Sequence, residues 1–423
     1  MGKICKIGSF TLLILIWFEE IVIVPGVTVA KAVGIIVGFL WILLKLGELA
    51  TIKKIVISNR ELIFYIFLII YFLITLISLY FVGDIYLNKI WLRISNLFLL
   101  ISMVIILSDQ IKNEKDYEIA YKIIVYSGIL VSFLIIIQYY LGISLSNIFS
   151  YQESVFTQKD IIRAIGPFRD PNFASLNIVT LIPLTYFYTI AYFSGKRWRN
   201  FLILGIAIEI IAILLSFSRA GIIALLLAFV LIIINDKVNI KRYFLIILLL
   251  IIVISFLPLQ EIKDRSSSVL KFYQNINNPY YLSITYPSLW NRYNFMIGAW
   301  KMFTDNLIIG VGFGNFMYNL PQYSLLSIEA GAHNTYLELA AELGIFGAIV
   351  FLTLLYLCWK NINISLKLCN NKNIIPIIKG LKIGFLVYLF GAFFLTAPTE
   401  KILWITFALS ISITKFTIKN SKK

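Results

Sequence analysis

Apolar runs about as long as a bilayer is thick, split by short polar joints, fill most of this chain. A hydrocarbon core about 30 Å thick takes roughly 20 apolar residues per helical crossing. Such runs fall near Ile7 to Val24, Val27 to Leu46, Leu62 to Val82, Ile90 to Leu107, Ile119 to Leu141 and Phe173 to Phe193. Six more follow near Phe201 to Leu215, Gly221 to Ile234, Tyr243 to Leu259, Tyr336 to Trp359, Ile374 to Leu395 and Ile402 to Phe416. They predict an all-α, polytopic membrane protein of about twelve transmembrane helices, one integral domain over residues 1–423. Lys3 and Lys6 precede the first run as in a signal sequence, yet Pro25-Gly26 leads straight into the second, which predicts a retained hairpin.

The joints carry the orientation. With a cytoplasmic N-terminus, inner joints hold Lys53, Lys54 and Arg60, then Lys196, Arg197 and Arg199, then Lys237, Lys241 and Arg242, and the tail ends in Lys422 and Lys423. The short outer turns hold only Lys89, Arg219 and Lys401, so the positive-inside rule selects cytoplasmic termini. Two outer connections are long: residues 143–172, and a large extracytoplasmic loop from Gln260 to Thr335 between the ninth and tenth spans. Polar loops of that size usually work rather than merely connect.

Composition agrees. Hydrophobic residues make up 60% of the chain and charged residues 14%, with a mean hydropathy of +0.90, where a soluble domain carries about 25% charge. The net charge of +16 is scattered between apolar runs and forms no basic arm, so membrane lipid and not nucleic acid is the expected partner. Cys5, Cys358 and Cys369 all fall on inner stretches, and no disulfide is expected.

Candidate chemistry gathers on the outer side. His333, the single histidine, stands where the large loop meets the tenth span, in AGAHNTYLELAAELGIFG. Thr335 and Glu338 have capping-box spacing, which makes Thr335 the expected N-cap. The positive end of the helix dipole should lower the pKa of the imidazole and keep it neutral, able to accept a proton. A structural histidine bonding a loop carbonyl is the other reading.

Arg219, in LLSFSRAGIIALL, sits where the seventh span turns directly into the eighth, and Arg169 precedes Asp170-Pro171 in GPFRDPNFAS at the start of the sixth. A charge at a membrane edge costs several kcal/mol unless paired or solvated, which points to an anionic partner or to lipid phosphates. The sixth, eighth and tenth spans all start on the outer face, and helix N-termini bind phosphate through unsatisfied N–H groups. A pyrophosphate site where the three starts converge is therefore expected, with Arg163, Arg265 and Arg292 as further diphosphate-binding candidates.

The loop residues Tyr273, Tyr280, Tyr281, Tyr286, Trp290 and Tyr293 suit sugar rings and equally the headgroup belt. GVGFGN at Gly310 to Asn315 lacks the strand and helix context of a dinucleotide site and reads as a turn. One histidine and no clustered cysteines leave too few metal ligands, so no metal and no cofactor is expected. Glu209, Glu19 and Glu20 lie within apolar runs and mark either a proton path or bundle-facing protonated side chains.

SFSRAG and HNTYLELAAELGIFG resemble the Ser-x-Ser-Arg and His-Asn-x-x-Leu elements of the O-antigen ligase and polymerase superfamily. GPFRDPNFAS and NRYNFMIGAWKMFTDNLIIGVGFGNF resemble two further segments, so Gly166 to Gly347 carries the resemblance. It implies a GT-C-type helical fold in the bacterial cytoplasmic membrane with an outward-facing site. It also implies metal-independent, inverting transfer of a glycan from an undecaprenyl-diphosphate-linked donor to a glycan or lipid-linked acceptor hydroxyl. By that similarity His333 and Arg219 are catalytic positions, with Arg169 and Arg292 supporting them. A repeat-unit polymerase is the nearest alternative, and a lipid-linked glycan flippase is an alternative of another class. The lack of a soluble domain after Phe416 favours ligase or polymerase over transfer to protein.

Overall fold

A computed structural model of the protein describes residues 2–18, 22–24, 27–50, 58–81, 87–142, 157–158, 161–192, 196–236, 259–326 and 330–421. Helix makes up 83% of it, so the chain is all-α. In chain order the helices are α1 Gly2–Leu15, α2 Val29–Ala50, α3 Asn59–Ile77, α4 Leu87–Gln110, α5 Glu114–Leu141, α6 Pro171–Tyr192, α7 Lys196–Leu215 and α8 Arg219–Asn235. Then come α9 Leu259–Gln274, α10 Pro279–Thr285, α11 Pro287–Asp305, α12 Phe316–Tyr323, α13 Thr335–Leu368, α14 Ile374–Gly391 and α15 Lys401–Ser421. The strands among the described residues are two short hairpins, Val22–Val24 with Val27–Thr28 and Thr157–Gln158 with Ile161–Ile162.

Eight described helices, α2 to α6 and α13 to α15, are long and apolar enough to cross a membrane. That falls short of the twelve spans expected: α8 is a shorter apolar helix, and Tyr243 to Pro258, nearly all of the ninth run, lies outside the described residues, as do Glu19 and Glu20. Burial sorts centre from edge. In the apolar window of α6, 89% of residues are buried, against 11% in α2.

The centre is built on small residues. Lipid supplies no hydrophobic drive between helices, so close backbone approach and van der Waals contact decide their packing. Gly380 and Gly384 of α14 form a small-xxx-small pair against α6, where an added Cβ would meet the Pro183 carbonyl at 3.0 Å and the Thr180 carbonyl at 2.8 Å.

Ion pairs collect at one end of the bundle: Lys6 with Asp116, Lys45 with Asp109 at 2.7 Å, and Lys415 with Glu61 at 3.0 Å. Up-and-down alternation puts the starts of α6, α8 and α13 at the opposite end. There the Ala164 amide donates to the Leu215 carbonyl at 3.0 Å, and the Lys401 ammonium reaches the Ile16 carbonyl at 3.5 Å.

The long connection before α13 is folded. Phe295, Ala299, Met302, Phe316 and Leu320 make a small core that also takes Ala341 of α13. The GVGFGN turn docks into a break in that helix. Gly344 has a φ of 62°, and around it Val311 and Gly312 donate to the Ala341 and Glu342 carbonyls at 2.9 Å while Ile345 donates to Leu307 at 2.8 Å. The interrupted helix therefore recovers its main-chain bonds from the turn, as a backbone in lipid must.

Candidate active site

One amide joins two helix starts. Asn172 Oδ1 accepts from Arg163 Nη2 at 3.2 Å and from Ser218 Oγ at 2.9 Å, while Arg163 Nε donates to the Ser216 carbonyl at 2.9 Å. Ser218 also caps α8 by accepting from the Gly221 amide at 3.2 Å, and Phe217 takes a left-handed φ of 49° to make the tight turn. A Cβ at Gly221 would come within 2.6 Å of Ser175, so α6 and α8 touch where they begin. Arg219 is the first residue of α8 and partly buried.

The α13 start is tied to the same end. Thr335 donates its amide to the Ala392 carbonyl and its hydroxyl to the Leu395 carbonyl, and that hydroxyl accepts from the Ala397 amide. Gly391 at the end of α14 packs on Leu176 of α6. The turn after α14 thus lies between the starts of α6 and α13.

These contacts correct one expectation. Thr335 is not the cap of α13, because its hydroxyl is used by residues 395 and 397. Asn334 is the N-cap and accepts from Tyr336 and Leu337 amides at 3.0 and 3.1 Å. Asn334→Ala is expected to cost about 1 kcal/mol in detergent-solubilised unfolding. Some first-turn amides are already engaged: Asp170 accepts from the Asn172 amide at 2.6 Å, Ser218 from Gly221 and Asn334 from two more.

Arg292 stands on α11, within electrostatic range of Asp170 and of His333. Loss of water pushes its pKa down, while the Asp170 carboxylate pulls it up. The His333 ring stacks on Phe295, one helical turn from Arg292, with centroids 6.1 Å apart and planes at 22°. Burial first and the Arg292 charge second push the imidazole down to about 4. The direction is the one expected, with burial and the Arg292 charge as its causes. His333 is held in the left-handed region, φ 52°, which costs backbone energy and fixes the ring at the mouth of α13.

A base with this pKa is neutral throughout the physiological range and gains a proton only as pH falls through about 4. The kcat/KM profile for the transfer proposed below should therefore stay level from neutral pH down to about 4. Arg292→Gln removes the smaller of the two causes, so its acid limb should move up while burial still holds it below the ordinary 6.5. A pH–rate profile of both proteins checks this.

Other sequence candidates lie elsewhere. Arg169 is exposed and lines a large cavity toward α4. Arg265 is on α9, with its side chain outside the described residues. Of the aromatic run, Trp290 stacks on Tyr293 at 5.9 Å and is buried with Phe272 and Leu282, which makes it core rather than a sugar platform. Glu209 is buried and accepts from Thr185 Oγ1 at 2.8 Å.

Sequence reasoning missed Arg93, Asn96, Glu338 and Glu342, which line that cavity. Arg93 had a usable signal, a cation within the fourth apolar run. Glu338 and Glu342 had another, two carboxylates at i and i+4 on one helical face.

Residues 201–352 match the family model described as O-antigen ligase, and the resemblance to the O-antigen ligase and polymerase superfamily is thereby borne out. No curated protein matches the chain. The matched segment contains Arg219, Arg265, Arg292 and His333, and leaves Arg163, Arg169 and Arg93 outside it.

Proposed function

We propose that this multi-pass membrane protein is a glycosyltransferase that moves a glycan from undecaprenyl diphosphate to an acceptor hydroxyl at the outer face of the bacterial cytoplasmic membrane. The observation that carries the reading is the pair Arg292 and His333 inside the O-antigen ligase-like segment: the His333 ring stacks on Phe295, one helical turn from Arg292, and feels its charge. A guanidinium and an imidazole side by side can hold a diphosphate and take a proton within one encounter.

In this mechanism Arg219 and Arg292 hold the donor diphosphate, with Arg163 bracing the α6 and α8 starts and Arg169 toward the cavity. The diphosphate offsets the positive field around His333, which raises the basicity of the imidazole when substrate is bound. The acceptor oxygen attacks the anomeric carbon and its proton passes to His333. The bond from that carbon to the phosphate oxygen breaks, and undecaprenyl diphosphate leaves with the electron pair, stabilised by the arginines. One displacement inverts the anomeric centre, and no metal takes part. About twelve crossings, a GT-C-type frame and cytoplasmic termini belong to the same proposal.

The test is transfer in vitro from a lipid-diphosphate-linked oligosaccharide to candidate acceptors, comparing wild type with Arg219→Ala at equal protein level. Product should fall at least tenfold in the variant. Unchanged yield would remove Arg219 from the mechanism, and lipid translocated without product would point to a flippase.

A further inference from the structure

A cavity of about 520 Å³ opens beside the α13 start, within the size range of small-molecule sites. Its wall changes with depth. Along α4 the lining passes from Arg93 and Asn96 through Leu99 and Leu100 to Met103 and Ile106, about 20 Å of helix. The upper tier also receives Glu338 and Glu342 from α13, and the lower tier Leu12 and Gly34.

The upper tier asks for hydrogen-bond donors. Asn96 Oδ1 is buried and has no partner. Glu338 and Glu342 are 6% and 3% exposed. The Glu338 carboxylate spends Oε2 on the Ala332 amide and the Thr396 hydroxyl, and Glu342 Oε1 accepts from the Phe316 amide at 3.2 Å. Arg93 donates Nη2 to the Met317 thioether at 2.9 Å, a weak acceptor, and lies in the field of both carboxylates. A phosphate here would find one guanidinium among two carboxyl groups and could not donate to Asn96. A polyol answers both demands, because each hydroxyl donates to a carboxylate or amide oxygen and accepts from a guanidinium. Phe168, half-buried and braced edge to face at 6.5 Å by the buried Trp17, adds aromatic surface to the same wall, the kind of surface on which sugar rings rest.

We propose that this tier is the acceptor-saccharide subsite, where Asn96, Glu338, Glu342 and Arg93 select the hydroxyl pattern of the sugar that is glycosylated. The assignment rests on the transferase reading above. Gly331 forms part of the wall and Glu338 holds the Ala332 amide, so the subsite ends two residues along the chain from His333.

Saturation-transfer NMR on the full-length protein in detergent tests it, with hexose and N-acetylhexosamine disaccharides and inorganic pyrophosphate as probes. At least one disaccharide should bind, and Asn96→Leu and Glu342→Gln should each weaken it about tenfold, the loss of one good hydrogen bond. Pyrophosphate binding should not change. Glutamine at 342 keeps an oxygen for the Phe316 amide, which separates loss of the subsite from loss of the fold. The proposal is overturned if no disaccharide binds, if both variants bind as wild type does, or if pyrophosphate binding is lost instead. The readout needs no turnover, so a wild type that transfers nothing defeats the transferase reading while binding still decides the subsite.

Discussion

Replacing His333 by alanine should lower the rate of glycan transfer by about 10²- to 10⁴-fold, the usual worth of a positioned general base. The imidazole stacks on Phe295 and its backbone is left-handed, so alanine removes the base while leaving the α13 cap at Asn334 in place. The loss should appear in kcat, with donor KM little changed, because the proposed mechanism gives the diphosphate to the arginines and not to the histidine. A steady-state comparison at equal protein level, with the melting temperature as a check on folding, measures it. A His333→Ala protein with wild-type kcat would show that the imidazole is structural.

The largest stability effect should come from Gly344→Val. A Cβ there would stand 2.4 Å from the carbonyl carbon and oxygen of Ile308, and its φ of 62° is strained for any residue with a branched side chain. Gly310 faces the reciprocal problem against the Glu342 main chain at 2.4 Å. Neither clash can be relieved by rotating a side chain, because the obstructing atoms are backbone. We expect a loss of at least about 3 kcal/mol, seen as a lower unfolding midpoint in detergent. An unchanged midpoint would mean that the turn and the helix break do not depend on one another.

Long apolar runs were readable because lipid satisfies no backbone group, so a run that crosses must be helical. For that reason Val27 to Leu46 and Ile374 to Leu395 fall on α2 and α14 within a few residues. What failed at the site failed through distance along the chain. The Thr335 to Glu338 spacing is correct for a capping box, but residues 395 to 397 claim the Thr335 hydroxyl and Ala332 and Thr396 claim the Glu338 carboxylate. The charge beside His333 comes from another helix, as does the carboxylate beside that charge. Pairings of this kind leave no local spacing to read. The cavity was hidden for the same reason, since its wall is drawn from α1, α2, α4, α13 and the segment before α15.

The glycine pair of α14 also sets an order of birth. α6 carries Asn177, Thr180 and Thr185 into the middle of the bundle, and the surface that covers Thr180 lies on a helix made roughly 200 residues later. At about 5–20 residues per second of synthesis, α6 waits roughly 10–40 s for that partner. Until α14 has been threaded in, the Asn172 junction is already present but the α6 face that carries Thr180 and Pro183 is uncovered, so packing of the bundle is completed only when the last helices arrive.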